Sequence, residues 1–510
     1  MDVVSLYASS KPDSPALVEG ERAVTWAELA ALRNRAARAL RALGLGAGER
    51  IVAYHANSID GFVASLGAQA IGLTVVPLNH RLTASEARFI VDDSDAAALV
   101  QGEEFDGVVD QLEATCGGVR HWIRFGVPRG RRLAFDALIS SHDDAPLGDA
   151  DVQASTMIYT SGTTGKPKGA MRTNMSAPAQ LGYLQTLIAE LGLRPGEAHL
   201  AAGPLYHSAP RAFAGVAMAM GNTVVLMRKF EAAAALDLIE RHDVGDTFMA
   251  PVLIKRLLAL PDTAWAGRDL SSLHTLIVAG APCPMSVKRG VAERLGPVLY
   301  EFYGSTELGV NTLLKPADQL RKPGSCGQLF PGVAIRLVDA NGDEVPDGTP
   351  GEIHVARNQQ VFDGYHKRVN DARASDGGEW ISVGDIAYRD AEGFYFICDR
   401  KHDMIISGGV NIYPAEIEQA LVEHPAIADA AVFAIPDEEW GEAVHAVLEL
   451  EPGAALGDAE VRAWLGPRLA HFKHPRTIAY VERLPRDNAG KLLKRTLRDP
   501  FWAGRERKVN

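Results

Sequence analysis

Between Tyr159 and Gly169 the chain reads YTSGTTGKPKG, which sets Ser161, Thr163 and Thr164 among Gly162, Gly165 and Gly169 and ends on two lysines, Lys166 and Lys168. Glycines let the backbone turn with its N–H groups pointing inward, so an anion can be cradled without side-chain obstruction. The hydroxyls add donors, and a lysine adds a mobile positive charge suited to phosphate oxygens. A Ser/Gly/Thr-rich stretch alone reads as a surface loop. The ordered combination closed by Lys168 reads as a phosphate site. It is not the P-loop pattern, which needs Gly-Lys-Ser/Thr opening a helix. Here Pro167 follows Lys166, and the residue before a proline is driven away from helix. The chemistry is that of a nucleotide polyphosphate loop of another kind.

The string resembles the phosphate loop of the acyl-adenylate-forming superfamily, and four further matches follow in that family's order along essentially the whole chain. The resemblance implies ATP contacts from Thr160, Ser161, Gly162, Thr163, Thr164, Gly165 and Lys168. AGAP at 279–282 follows an apolar strand, where open sheets bind ligands. There the family places adenine and acyl walls, which implies roles for Ala279, Gly280, Ala281 and Pro282. YGSTE at 303–307 matches residue for residue. It implies Tyr303 stacked on adenine beside Gly304, Thr306 on phosphate and Glu307 on Mg²⁺, and the last two join the catalytic set. An aromatic plane, a hydroxyl and a carboxylate are what adenine, phosphate and a hard cation require. Asp385 in VGDIAY resembles the aspartate that grips the ribose, and Arg400 in DRKHD its partner. Lys491 in PRDNAGKLLKR resembles the adenylation lysine, which offsets charge as a carboxylate attacks the α-phosphorus.

A second half-reaction is implied by SGGVNIYPAEIE at 407–418. Gly408 and Gly409 would let a pantetheine arm pass close to backbone, and Pro414 opens a helix. The implied hinge spans 400–402, with His402 where the family generally has Asp or Lys. PLYHSAPRAF at 204–213 supplies His207 as the implied gate between acid and thiol. The acyl pocket is expected from Ser208, Arg211, Ala279, Ser305 and Val310. Its linings are small and mostly apolar and leave room for a bulky hydrophobic acid, either fatty, aryl or polycyclic. Arg211 either meets a remote polar group or points outward. Trp440 and Phe472 resemble aromatics that stack on the adenine of coenzyme A, with Arg81, Lys473 and Arg476 in reach of its phosphates. Two departures stand out: Val383 where Thr is usual, and Asn174 where His is common.

These residues need a scaffold of several domains, since 510 residues exceed one core. At 47% hydrophobic and 23% charged residues the composition is globular. A net charge of −12 argues against general nucleic-acid binding. Four separated cysteines, Cys116, Cys283, Cys326 and Cys398, show no zinc-ligand spacing and fit a reduced compartment. With no secretory pattern at the N-terminus and no apolar run of membrane-spanning length, a cytoplasmic protein is expected.

Thr25 and Glu28 form a capping box before a helix with Leu29, Leu32, Ala36, Leu40 and Leu43 inside, Arg33, Arg35, Arg38 and Arg41 outside, and Gly44 as its stop. Strands at 51–55, 74–78, 223–227 and 275–280 alternate with helices at 62–70 and 232–240, which predicts α/β layers with largely parallel sheets. From Pro323 the texture becomes antiparallel, and a distorted barrel is expected. A helix at 414–423, two strands, a helix at 460–469 and TIAYV then form a small α+β domain. The expected division is 1–399 for ATP and acid, 400–402 as hinge, and 403–510 as a mobile domain.

The expected function is an AMP-forming acyl-CoA synthetase using Mg·ATP, a carboxylic acid and CoA, with a homodimer as the assembly considered. The alternatives are transfer to a carrier-protein pantetheine and a non-catalytic nucleotide-binding homologue. The joint presence of Lys168, Glu307, Asp385, Arg400 and Lys491 opposes the second alternative. An amino-acid adenylation domain is disfavoured because no aspartate for an ammonium follows Arg211, and a luciferase has no support.

Overall fold

The computed structural model describes residues 2–148, 155–160, 167–171, 177–358, 360–367, 373–375, 378–401, 403–407, 410–486 and 492–503. Near the N-terminus the capping box forms as read. The Glu28 N–H donates to Thr25 Oγ1 at 3.2 Å and the Thr25 N–H to Glu28 Oε2 at 2.8 Å. They start the Trp26–Ala42 helix, which stops before Gly44 at φ +75°. Leu29 and Leu40 are buried, and each contributes about 1.5–3 kcal/mol through burial. This helix packs on Ile59–Ala70, where a Cβ at Gly67 would fall 2.6 Å from the Ala36 methyl.

Arg33 departs from the expected outward stripe. It is only 4% exposed, and its guanidinium bonds Asn34 Oδ1, the Ser5 hydroxyl and Asp2. The N-terminal Val3–Ser10 helix covers that face, a contact that helical spacing cannot reveal.

Two mostly parallel sheets carry the site. The eight-stranded sheet centres on Arg50–Tyr54, with Thr74–Pro77 and Ala96–Gln101 parallel on either side. Ser155–Thr160 extends it in parallel, and Lys168–Met171 and Gly364–Tyr365 then add antiparallel. In the nine-stranded sheet, Val244–Phe248, Thr275–Val278 and Leu299–Ser305 run parallel, and Gly309–Leu314 returns antiparallel. A core containing Leu17, Trp26, Ile51, Val75, Leu205 and Val224 joins the two sheets.

Six antiparallel strands between Ile335–Val338 and Tyr395–Arg400 form the third unit, where the distorted barrel was expected. Phe330, Ile353, Val355 and Tyr395 pack it against Ile277 and Leu313 of the nine-stranded sheet. A five-stranded sheet then draws only on strands from Ile405–Ser407 onward. Pro414–Val422 and Asp458–Leu465 cover it through Ile417, Leu421, Val461 and Leu465. Among the described residues, no helix is long and apolar enough to cross a membrane.

Candidate active site

The strands flanking the phosphate motif place Thr160 and Lys168 directly opposite each other. Gly169, opposite Tyr159, is needed for close approach, since a Cβ there would lie 2.7 Å from Met157 Sδ and 3.1 Å from the Tyr159 ring. From the other sheet, Leu299–Ser305 and Gly309–Leu314 make a hairpin whose tip carries Thr306 and Glu307. Gly304 permits its bulge, because a Cβ would strike the Gly309 carbonyl oxygen at 2.1 Å.

The two sheets meet at Glu307. The Thr160 hydroxyl donates to Glu307 Oε1 at 3.0 Å and the Tyr365 hydroxyl donates to the same oxygen at 2.9 Å. Lys168 Nζ lies 5.2 Å from the Tyr365 ring centre, and Lys168 and Glu307 are both buried. A buried ammonium, a carboxylate and two hydroxyls at one point suit a polyphosphate with its hard cation. Tyr365 was missed by the sequence reading. It reaches Glu307 only because its strand pairs with Lys168–Met171.

Tyr303, on the same hairpin, donates its hydroxyl to Asp385 Oδ2 at 2.7 Å. Arg400 Nε lies 3.3 Å from Asp385 Oδ1. Asp385 and Arg400 are cross-strand partners in the antiparallel unit, so the pair expected from two separated motifs is fixed by β register. Burial, reinforced by the Asp385 charge, pushes the Tyr303 phenol well above its ordinary value, so it remains a donor.

A cavity of about 750 Å³ runs from this end into the space between the Ile59–Ala70 and Ser208–Ala219 helices. Thr160, Lys168, Gly304, Thr306, Glu307 and Arg400 line one end. Of the expected pocket residues, Ser208, Arg211, Ala279, Ser305 and Val310 all line it, as does Gly280. Ala281, Pro282, Tyr303 and His207 do not. Ser208 Oγ and Thr306 Oγ1 are 3.1 Å apart, which joins the acyl wall to the phosphate end. His207 precedes that helix as its N-cap, its ring 4.4 Å from Tyr206.

Sequence reasoning missed the opposite wall, which includes His55, Ser58, Phe62, Leu66, Tyr183 and Leu187. It also missed Asn57, whose amide donates to the carbonyls of Gly203 and Met227 and accepts from the Leu205 N–H, fixing the segment before His207. No local spacing marks these residues.

On the later part of the chain, Asp399 Oδ2 accepts from the Ala415 N–H at 3.0 Å, at the start of the Pro414–Val422 helix. Lys494 Nζ lies 2.8 Å from Glu418 Oε1 and 4.0 Å from Asp399 Oδ2. Burial pushes both carboxyls up. It works against the Lys494 ammonium too, but the charges of Asp399 and Glu418 outweigh it and raise that pKa.

Trp440 and Phe472 are exposed, as stacking on a ligand would need. Two of the cations expected beside them are engaged, Lys473 with Glu416 at 2.6 Å and Arg476 with Asp437 at 3.4 Å. Arg476 also sits 5.2 Å from the Trp440 ring centre. Ser161, Gly162, Thr163, Thr164, Gly165, His402, Gly408, Gly409 and Lys491 lie outside the described residues, as does Asn174.

The AMP-binding enzyme family model matches residues 5–366, and the model of its C-terminal domain matches 416–491. The chain is 33% identical to the fatty acid–[acyl-carrier-protein] ligase ScoC of Streptomyces coeruleorubidus, covering 100% of this chain and 98% of that one. It is 35% identical to a feruloyl-CoA synthase of Amycolatopsis sp, covering 97% of each. Among solved structures it resembles o-succinylbenzoate CoA synthetase (MenE) of Bacillus subtilis in complex with its acyl-adenylate intermediate. The TM-score is 0.85 at 29% identity, over 100% of this chain and 99% of that one.

Proposed function

The chain belongs to the AMP-binding enzyme family, and from that premise we propose that it is an AMP-forming acyl-CoA synthetase. It converts a carboxylic acid and Mg·ATP to an acyl-adenylate and pyrophosphate, then passes the acyl group to the thiol of coenzyme A. The observation that carries this reading is the single cavity whose walls hold both Lys168, Glu307 and Arg400 and the acyl residues from Ser208 to Val310. A polyphosphate and an organic acid placed there meet near the Ser208–Thr306 contact.

In this reading Lys168 and Thr306 hold phosphate oxygens, and Glu307 would hold Mg²⁺ through its hard carboxylate oxygen, the ion supplying charge neutralisation when bound. Tyr303 stacks on adenine, Asp385 accepts from the ribose hydroxyls, and Arg400 orients Asp385. Lys491 stabilises the negative charge that builds at the α-phosphorus. Residues 403–510 act as the mobile domain about a hinge at 400–402, bringing Gly408 and Gly409 to the site for thiol entry past His207. A cytoplasmic location and a homodimer are part of the proposal, the latter tested by light scattering in solution.

A second reading has a specific observation behind it. ScoC, similar over its whole length, is named as a carrier-protein ligase, and Lys473 and Arg476 are already held by carboxylates. The acceptor is then a protein-borne pantetheine, which presents the same thiol without the adenine. Pyrophosphate release across a panel of fatty, aryl and polycyclic acids, with and without CoA, decides. Acid-dependent release that turns over repeatedly only with CoA supports the synthetase. Release that CoA fails to pull forward transfers the reading to a carrier protein. No release with any acid removes the adenylation reading.

A further inference from the structure

Arg211 differs from the buried arginines in facing the cavity, where part of its surface stays exposed. Arg33 is held by Asp2, Arg124 by Asp106, and Arg132 by Asp106 and Glu113. Arg211 lines the acyl cavity with no side-chain hydrogen bond or ion pair to any described residue. Burial lowers its pKa only to about 10, so it stays charged at neutral pH. A partly desolvated cation without a counter-ion carries a cost, which an anion entering the cavity recovers. Glu307 is the one carboxylate among the cavity's described lining residues, and it belongs to the phosphate end, bonded to Thr160 and Tyr365.

His55 lines the same cavity. Its Nδ1 lies 2.8 Å from the Ala56 carbonyl oxygen. A carbonyl only accepts, so Nδ1 carries the proton in the neutral ring and Nε2 is an acceptor. Nε2 is buried without a partner. Burial holds the His55 pKa down to about 4, and the nearby Arg211 charge adds to that effect. An anion on Arg211 offsets this repulsion, while burial remains the larger effect on the ring. The ring has its place because residue 61 is glycine, since a Cβ there would stand 2.2 Å from His55 Cε1 and 2.9 Å from Nε2. Phe62, Leu66 and Val216 keep the cavity apolar elsewhere.

Resting on the reading that this cavity takes the acid to be adenylated, we infer that the acid carries a second carboxylate. That group docks on Arg211 with His55 beside it, while the first is activated near Ser208 and Thr306. Arg211 lies three positions after Ser208 on one helix, about 4.5 Å further along its axis. The substrate class is a dicarboxylic acid with an apolar body, and an apolar tail in that place would leave the guanidinium without water or counter-ion.

The test uses the full-length protein with Mg·ATP and length-matched pairs, each a monocarboxylic acid and its ω-carboxylated partner, in both aliphatic and aryl series. The readout is the ratio of kcat/KM for pyrophosphate release, diacid over monoacid. The native ratio exceeds one in at least one pair. Arg211→Met lowers it about tenfold to a hundredfold, the range of a hydrogen bond to a charged group. Arg211→Lys keeps part of it, and Gly61→Ala, which displaces the His55 ring, lowers it as well. A native ratio below one in every pair overturns the inference, as does a ratio that Arg211→Met leaves unchanged. If no acid releases pyrophosphate, the adenylation reading falls separately, and calorimetry with the diacids decides this one. Binding lost in Arg211→Met upholds it, and no binding to native protein overturns it.

Discussion

Asp385 and Arg400 face each other across neighbouring antiparallel strands, Oδ1 to Nε at 3.3 Å, while Oδ2 of the same carboxylate takes the Tyr303 hydroxyl at 2.7 Å. Three motifs far apart in sequence therefore converge on one carboxylate. Asp385→Asn removes its charge and is expected to raise the KM for ATP about tenfold to a hundredfold, as for a lost charged hydrogen bond. Tyr303→Phe keeps the ring and should cost less than tenfold. A double-mutant cycle read by ATP calorimetry should give a coupling of about 1 kcal/mol. Additive effects would show that the hydroxyl contact does not order the site.

Glu307 joins the two sheets through Thr160 and Tyr365. Glu307→Gln keeps an acceptor oxygen there and removes the charge. Thermal stability should change little while pyrophosphate release slows about 10²–10³-fold, the usual loss for an electrostatic group of this kind. The Mg²⁺ concentration for half-maximal rate should rise in parallel. A fall in Tm of many degrees with unaltered Mg²⁺ dependence would make Glu307 a structural tie only.

Lys494 stands between two carboxyls, the buried Asp399 and the largely buried Glu418, both pushed up by desolvation. Lys494→Met leaves them without a cation, at a cost of about 3–5 kcal/mol at neutral pH. A carboxyl raised in the folded state binds more protons there than in the unfolded chain, so its folded state loses stability as pH rises from the unfolded pKa through the folded one. The Tm gap between native protein and variant should therefore widen from pH 5 to pH 8. A gap that narrows over that range would contradict the assignment.

Lys491 and Gly409 carry the two-step proposal. Lys491→Ala should slow adenylation by about 10²–10³-fold while sparing thioester formation from supplied acyl-adenylate. Gly409→Leu should do the reverse, leaving pyrophosphate exchange intact. Equal damage to both half-reactions in either variant would argue against alternation of a mobile domain.

Much of the scaffold was legible because its signals are local. The Thr25–Glu28 box, the stop at Gly44, the strand at Thr275–Val278 and the helix opened by Pro414 each depend on a few adjacent residues and appear where the spacing put them. Arg33 was misread because helical periodicity reports one helix, whereas the face that buries Arg33 is covered by a separate segment, Val3–Ser10.

By itself, the sequence determined the chemical inventory. It held a phosphate motif, a YGSTE motif with hydroxyl and carboxylate, an Asp/Arg pair and a tail lysine, because those groups are defined by residue type and near spacing. Tertiary structure decided who meets whom. Thr160 and Glu307 are 147 residues apart and bond only because two sheets pack edge to site. Tyr365 enters through strand pairing, and the second wall of the cavity comes from a helix, Ile59–Ala70, that carries no motif. Whether Arg211 would be paired or left for a ligand depended on which distant carboxylates approach it. Charge compensation inside a protein is a property of packed neighbours, and no spacing along the chain encodes it.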